Sequence, residues 1–256
     1  WTARTSGVTD SLKGVAWSGS LLVAVGDSGR ILTSPDGITW TSRTSGTTNG
    51  LLGVTYGNSL FVAVGVSGTI LTSPDGTTWT SRTSGTSNSL AGIVWSGSLF
   101  VTVGGVFSTS GTILTSSNGT SWTSRTSGVA LRLNSVLWTG SEFVAVGESG
   151  VILTSAAGTT WASQSRPTNR ELWASVMFSS QIVLTGDSAT VLRGSGPTAL
   201  SVGMTNLALT TSAFSAGLGL FAVGGQSGLL FTSPDGFTWT TRSTDANGDI
   251  TAIVAT

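Results

Sequence analysis

The side chains that could do chemistry are few, because this 256-residue chain contains no histidine and no cysteine. Without histidine, the usual near-neutral proton shuttle and the usual base of a serine nucleophile are missing. Without imidazole or thiolate, the common zinc ligands are missing too. We therefore predict no catalytic residue, no metal site and no cofactor.

Carboxylates are the remaining acid–base groups, and the only glutamates are Glu142, Glu148 and Glu171. Glycoside hydrolysis needs two carboxyl groups at a defined separation, and no two of these can be paired from the sequence. The single tyrosine, Tyr56, stands where other copies of an internal repeat carry tryptophan. We therefore expect Tyr56 in the core rather than as a nucleophile.

Charged and aromatic side chains do gather in the predicted loops of one sector of the chain. These candidates for ligand binding are Phe107, Arg132, Glu148, Arg166, Arg170 and Glu171. Loops on a rigid scaffold commonly carry binding residues, so we predict a binding surface here. The alternative is that all six are merely solvated loop residues.

The scaffold that positions these loops is built from a sequence repeat, which is marked by the recurring phrase Ser-Pro-Asp-Gly-X-Thr-Trp. It occurs at Ser34–Trp40, Ser73–Trp79 and Ser233–Trp239, and weaker copies occur at Ser116–Trp122 and Ser155–Trp161. A period of about 40 residues made of short strands is typical of a ring of sheets. The sequence therefore predicts an all-β propeller of four-stranded antiparallel blades, formed as one domain by residues 1–256.

Residues 51–85 illustrate one blade. Leu51–Tyr56 predicts a first strand, Leu60–Val64 an apolar second strand, Thr69–Thr72 a third and Thr77–Arg82 a fourth. Gly57-Asn58 and the glycine turn at 65–68 predict the connections. Alternating strand directions put the second-to-third turns and the blade-to-blade loops on one face, which varies most along this chain.

The phrase resembles the Asp-box, or BNR, repeat, with a shorter Asp-Gly spacing. The resemblance implies a structural turn capped by tryptophan and formed by Asp36, Trp40, Asp75, Trp79, Asn118, Trp122, Trp161, Asp235 and Trp239. Some propellers with Asp-boxes are sialidases, and a family of photosystem assembly factors shares the repeat. The chain is also similar to propeller regions of phage fibre and bacterial surface proteins.

Six repeats can be counted, the fifth ending at Leu200 in place of tryptophan, and both ends carry a further piece. Residues 1–4 match a fourth strand, and residues 250–255 match a first strand. This half-blade leaves six or seven blades open. A longer chain could complete a seventh blade, six blades could close with a surplus strand, or the ends could pair with another subunit.

The composition of the chain limits the kinds of partner that we expect. Eleven basic and eleven acidic residues argue against a nucleic-acid partner, which needs clustered positive charge. No apolar run is long enough to insert in a membrane. We expect a noncatalytic binding or display module on a virion, on a cell surface or outside the cell, with a glycan or surface protein as partner. The alternatives are a filament or phage-appendage subunit that self-associates through its terminal strands, and a sialidase-like hydrolase.

Overall fold

A computed structural model describes residues 4–178, 181–196, 201–204, 209–215, 218–235, 238–244 and 248–253. In these residues 24 strands form six sheets, each of four antiparallel strands. Over the same described ranges, helical structure is confined to short 3-10 turns. The chain is a six-bladed β-propeller, which confirms the predicted fold class.

The strands run in chain order through the blades. Blade 1 consists of β1 (Leu12–Trp17), β2 (Leu22–Gly26), β3 (Ile31–Ser34) and β4 (Thr41–Arg43). Blade 2 consists of β5 (Leu51–Gly57), β6 (Leu60–Gly65), β7 (Ile70–Ser73) and β8 (Thr80–Arg82). Blade 3 consists of β9 (Ser89–Trp95), β10 (Phe100–Val106), β11 (Ser110–Ser116) and β12 (Thr123–Thr126).

The second half repeats this order. Blade 4 consists of β13 (Leu133–Trp138), β14 (Phe143–Gly147), β15 (Ile152–Ser155) and β16 (Ala162–Ser163). Blade 5 consists of β17 (Leu172–Phe178), β18 (Gln181–Gly186), β19 (Thr190–Gly194) and β20 (Ser201–Met204). Blade 6 consists of β21 (Leu209–Ser215), β22 (Leu220–Gly225), β23 (Leu230–Ser233) and β24 (Thr240–Arg242).

The first strand of each blade lies at the centre of the ring. Consecutive first strands contact one another from β1 through β5, β9, β13 and β17 to β21. Each blade is a simple meander, so its fourth strand lies at the outer edge. The loops that enter the first strands therefore meet near the centre of one face.

The core is sandwiched between blades. Second strands are buried on both faces, as in β6, where Phe61 packs on blade 1 and Val62 on blade 3. A buried phenylalanine at this position contacts a tryptophan or tyrosine of its own blade, as in Trp95–Phe100 at 4.3 Å between ring centroids. Tyr56 likewise contacts Phe61 at 4.7 Å. Each buried side chain of this size stabilises the fold by roughly 1.5–3 kcal/mol.

The turns and loops are divided between the two faces of the ring as the alternating strand directions predict. A Cβ atom on Gly68, in the turn between β6 and β7, would meet the carbonyl oxygen of Thr86 in the loop to blade 3. On the other face, a Cβ on Gly158, in the turn between β15 and β16, would meet Leu99 of blade 3. The second-to-third turns and the blade-to-blade loops thus share a face, which we call the loop face.

Two strands of blade 2 begin later than predicted, and three of its strands end one residue later than predicted. The fourth strand begins at Thr80 rather than Thr77, because the Asp75 carboxylate binds the backbone amides of Thr77 and Thr78. The third begins at Ile70 rather than Thr69, because the amide of Thr69 donates back to Val66 within the turn. In both places the turn uses an amide that the prediction assigned to the sheet.

The predicted terminal strands are not formed in the described residues. Arg4 and residues 250–253 are outside any strand, and residues 1–3, 254–255 and Leu200 lie outside the described part. Residues 250 and 251 nevertheless join blade 6 to blade 1. The amide of Ile250 donates to Gly225, the Thr210 hydroxyl donates to the Ile250 carbonyl at 2.7 Å, and the Thr251 hydroxyl donates to the carbonyl of Leu12.

Candidate functional site

The repeat phrase forms a closed hydrogen-bonded turn. In blade 1 the Asp36 carboxylate accepts from the amides of Ile38 and Thr39 at 2.8 and 2.9 Å, and from the hydroxyl of Ser34. The indole of Trp40 donates to the carbonyl of Gly37. The amides of Thr39 and Ile38 and the Ser34 hydroxyl hold the pKa of Asp36 below its usual range. The carboxylate is thus engaged in its own turn.

The turns of blades 2, 3 and 6 have the same arrangement, with asparagine in place of aspartate in blade 3. Asp75 repeats every contact, Asn118 uses its side-chain oxygen in the same way, and Asp235 accepts from Ser233 and from the amide of Thr238. Tryptophan indoles donate to the turn glycine carbonyl at Trp79, Trp122 and Trp161. Trp239 packs with blade 6 core residues.

The long turn of blade 3 carries the first candidate residue. Phe107–Thr109 connect β10 and β11, and the side chains of Val106 and Phe107 are 45% and 56% exposed. Ser108 anchors the turn to blade 4, since its hydroxyl and amide donate to the two carboxylate oxygens of Glu148 at 2.5 and 2.8 Å. The apolar tip is therefore held in place at its base.

Glu148 lies under this turn and is only 3% exposed. It also accepts from the amide of Arg132 at 3.1 Å. Burial acts to raise the pKa of Glu148, but the hydrogen bonds from Ser108 and from the Arg132 amide outweigh it, and the pKa lies below its ordinary value. Glu148 therefore shapes the loop face from below rather than contacting a ligand on it.

Arg132 lies between two aromatic rings. Its guanidinium carbon is 5.7 Å from the centroid of Phe107 and 5.4 Å from that of Trp173, and its Nη2 donates to Glu171 at 2.7 Å. Cation–π contacts of this geometry are attractive and strengthen as water is excluded. Three blades thus contribute to one cluster, Phe107–Arg132–Trp173, which we call the stacked cluster.

The stacked cluster is braced from below. The side-chain Nδ2 of Asn134 donates to Glu171 and to the carbonyl of Leu172, both at 2.9 Å. The Trp173 indole donates to Asp187 at 2.6 Å. Both acidic side chains therefore point to partners within the protein.

The structure brings together four of the six predicted residues: Phe107, Arg132, Glu148 and Glu171. Arg166 and Arg170 are exposed, and neither side chain bonds to a described residue. Trp173 was missed. Its position is held by Lys13, Leu52, Ala91 and Asn134 in blades 1 to 4, so the repeat gave no signal. A tryptophan without a counterpart, two residues after the candidate Glu171, was itself a clue.

Chemically, this arrangement offers ring faces and cationic donors. In the described residues, no three histidine, cysteine, aspartate or glutamate side chains are grouped as metal ligands. No helix among those residues is long and apolar enough to cross a membrane. Arginines on the outer strands do not converge on one site, since Arg43, Arg82, Arg125 and Arg242 each bind a threonine of their own blade.

Comparison with known proteins adds a fold relationship. No protein-family profile and no curated protein matches the sequence. Among solved structures, YCF48 from Cyanidioschyzon merolae is similar, with a TM-score of 0.70 and 18% identity over 93% of this chain and 87% of that chain. A YCF48 structure bound to a D1 peptide has a TM-score of 0.71 and 18% identity over 91% and 81% of the two chains. At this identity the similarity concerns the propeller fold alone.

Proposed function

We propose that the protein is a noncatalytic binding module that holds a polypeptide segment of a partner protein on the loop face. The observation that carries the proposal is the stacked cluster. An arginine fixed between Phe107 and Trp173 presents a rigid surface contributed by blades 3, 4 and 5. Aromatic and arginine side chains that are ordered before binding are typical of interface hot spots.

Exposure defines how a segment would bind. Val106 and Phe107 are the exposed apolar side chains at the rim of the stacked cluster, so an apolar side chain of the partner packs against them. The nearby carboxylates of Glu148, Glu171 and Asp187 all have internal partners. Arg166 and Arg170 remain exposed in the adjoining loop, which favours a segment with acidic residues beside its apolar anchor.

The propeller fold suits this role, because a rigid ring holds loops from several blades in fixed relation. A solved propeller of the same fold, YCF48, has been described bound to a D1 peptide. That ligand belongs to YCF48. For this chain it supports only the general kind of ligand, a polypeptide segment, at a site that its own residues define.

The proposal is tested by panning a random dodecapeptide phage library on the full chain and measuring the selected peptides by calorimetry. We expect Phe107→Ala to weaken binding by at least about 30-fold, the effect of losing one hot spot of roughly 2 kcal/mol. Ile38→Ala is the matched control, because Ile38 is 53% exposed but lies in a turn on the opposite face. Selected peptides that bind both variants like the parent chain, or a library without any enrichment, would overturn the proposal.

A further inference from the structure

Two grooves on the loop face repeat the same chemistry in blades 1 and 2. The first, of about 680 Å³, is lined by Ser28, Arg43, Ser45 and Thr47 among others. The second, of about 480 Å³, is lined by the equivalent Ser67, Arg82, Ser84 and Thr86. The turn between the second and third strands, the fourth strand and the following loop together form each groove.

Each groove contains one arginine with uncommitted donors. The Nε atoms of Arg43 and Arg82 donate to the buried hydroxyls of Thr33 and Thr72, both at 2.9 Å. These bonds fix the base of each guanidinium against the sheet. The Nη atoms bond to no described residue, so they present a planar pair of donors that matches a carboxylate or sulfate.

The serine at the rim of each groove adopts a left-handed backbone conformation, which glycine adopts more easily than serine does. Ser28 and Ser67 have φ values of 57° and 54°, and the same left-handed position is serine in blades 4 to 6: Ser149, Ser188 and Ser227. A chain with 36 glycines could avoid this cost with glycine at each turn. The hydroxyl of Ser67 bonds to no described residue, and it remains available to a ligand.

The lining selects the class of ligand. Among the residues that the structure describes, neither groove is lined by an acidic residue or an aromatic ring. Arg30, in the first groove, is neutralised by Asp10 at 2.5 Å, which leaves Arg43 as the uncompensated charge among the described residues of the lining. Without a ring to stack on, a neutral sugar has little to hold it, whereas an acidic sugar pairs with the arginine and with surrounding hydroxyls.

We propose that these grooves are paired sites for an acidic polysaccharide, which binds consecutive blades through Arg43 and Arg82. A polymer with a repeated charge suits two sites with the same chemistry, because the second contact is made at high effective concentration. The proposal is independent of the stacked cluster, which involves different residues in blades 3 to 5.

The test replaces both arginines by glutamine, since blade 4 shows that glutamine preserves the local structure. Gln164 occupies the equivalent position and donates to Thr154 at 2.8 Å. Binding of heparin and alginate oligosaccharides to the full chain is measured by calorimetry, with dextran as the neutral saccharide and poly-glutamate as the non-saccharide polyanion. Arg125→Gln is the matched control, because Arg125 binds Thr115 in the same way but blade 3 has the long turn.

We expect an acidic oligosaccharide to bind the parent chain and the Arg125→Gln variant alike. The Arg43→Gln/Arg82→Gln double variant should bind at least tenfold more weakly, and binding should weaken as salt is added. Three results would overturn the proposal: no binding of either acidic oligosaccharide, equal binding by the double variant, or poly-glutamate binding as tightly as the saccharides. Phe107→Ala should not change this binding, which separates it from peptide recognition.

Discussion

Glu148 shows how one side chain can organise a surface that it does not reach. It is buried, yet both carboxylate oxygens accept hydrogen bonds, from the turn of blade 3 and from the backbone of Arg132. A buried carboxylate is tolerated only when it has such partners. Glu148 thus fixes Phe107 and Arg132 relative to each other.

Replacing Glu148 with glutamine should therefore loosen the stacked cluster. The substitution keeps the size but removes the charge from three hydrogen bonds. Even with its side-chain oxygen against the amides of Ser108 and Arg132, its Nε2 faces the Ser108 hydroxyl, which must then accept instead of donate. We expect a loss of about 1.5–3 kcal/mol of unfolding free energy, the range for hydrogen bonds to charged groups. Urea denaturation at pH 7 measures this loss, and hydrogen exchange should show faster exchange at Phe107–Thr109.

The contribution of Glu148 to the stability of the fold should be lost as the pH falls. Because the pKa of Glu148 is lowered in the fold, its stabilisation is complete above the unfolded value near 4.3 and is lost as the pH falls through the folded value. The stability difference between the parent chain and Glu148→Gln should thus be constant from pH 6 to 8 and shrink below about pH 4. Glu142→Gln, whose side chain bonds to no described residue, should show neither effect. A stability difference that does not shrink as the pH falls below the unfolded value would contradict this account.

Residue types alone could not reveal this arrangement. Glu148 occupies a turn position held by Asp27, Val66, Asp187 and Gln226 in other blades. The sequence alone therefore does not distinguish it from a solvated loop residue. Its burial depends on four extra residues in the neighbouring turn, which carry Ser108 over it. The sequence identified both features, but their contact is a tertiary relation that no spacing encodes.

The recurring turn between the third and fourth strands is the element that the sequence predicted best. Its serine, aspartate, glycine and tryptophan each bond within seven residues, so a short phrase determines its geometry. Blade 4 lacks the carboxylate, since Ala157 takes its place. The amide of Gly158 still bonds to Ser155, and the Trp161 indole to Gly158.

Blade 4 should therefore gain stability when the carboxylate is restored. In Ala157→Asp, the new side chain can accept from the amides of Thr159 and Thr160, as Asp36 does from Ile38 and Thr39. We expect a gain of about 1 kcal/mol, or roughly 2–4 °C in melting temperature for a chain of this length. Scanning calorimetry measures the shift.

The reverse substitution supplies the control for this element. Asp75→Ala removes a carboxylate that accepts from two amides and from Ser73, so it should lower the melting temperature by a similar amount. If both variants had the melting temperature of the parent chain, the serine and tryptophan would be sufficient for the turn. The acidic residue would then have no structural role.

At the scale of the ring, the sequence predicted the blades well and their closure poorly. Strand patterns depend on local periodicity, which survives in every repeat. Closure depends on how residues 250–251 meet residues 12 and 210, and nothing local specifies that contact. The prediction of terminal strands recognised the similarity of Ile250 to Leu12 but assigned pairing that the described residues do not form.

The bonds at this junction follow a rule seen inside the ring. Asn134, the second residue of β13, donates to the carbonyl of Leu172, the first residue of β17. Thr210 of β21 makes the same bond to Ile250, and Thr251 makes it to Leu12 of β1. Residues 250 and 251 thus take the place of an inner strand between blade 6 and blade 1.

We therefore expect the ring to open between blade 6 and blade 1 when the contacts of residues 250 and 251 are weakened. Thr210→Val/Thr251→Val keeps the side-chain shape but removes both hydroxyl donors, at a cost of about 1 kcal/mol each. Hydrogen exchange followed by mass spectrometry should show faster exchange in β1 and β21, with β9 and β13 unchanged. Thr80→Val, on the exposed outer strand β8, is the control and should change neither pair.

The contrast between the two pairs of strands is what makes this measurement decisive. Inner strands β9 and β13 contact each other directly. By contrast, β1 and β21 are bridged by residues 250 and 251, whose backbone bond to a described residue is the one from Ile250 to Gly225. Local opening occurs where such bonds are few, so the ring should open at this junction before any blade unfolds. Equal acceleration in all inner strands would instead mean that the six blades unfold as one cooperative unit, with no weak point between the first and the last.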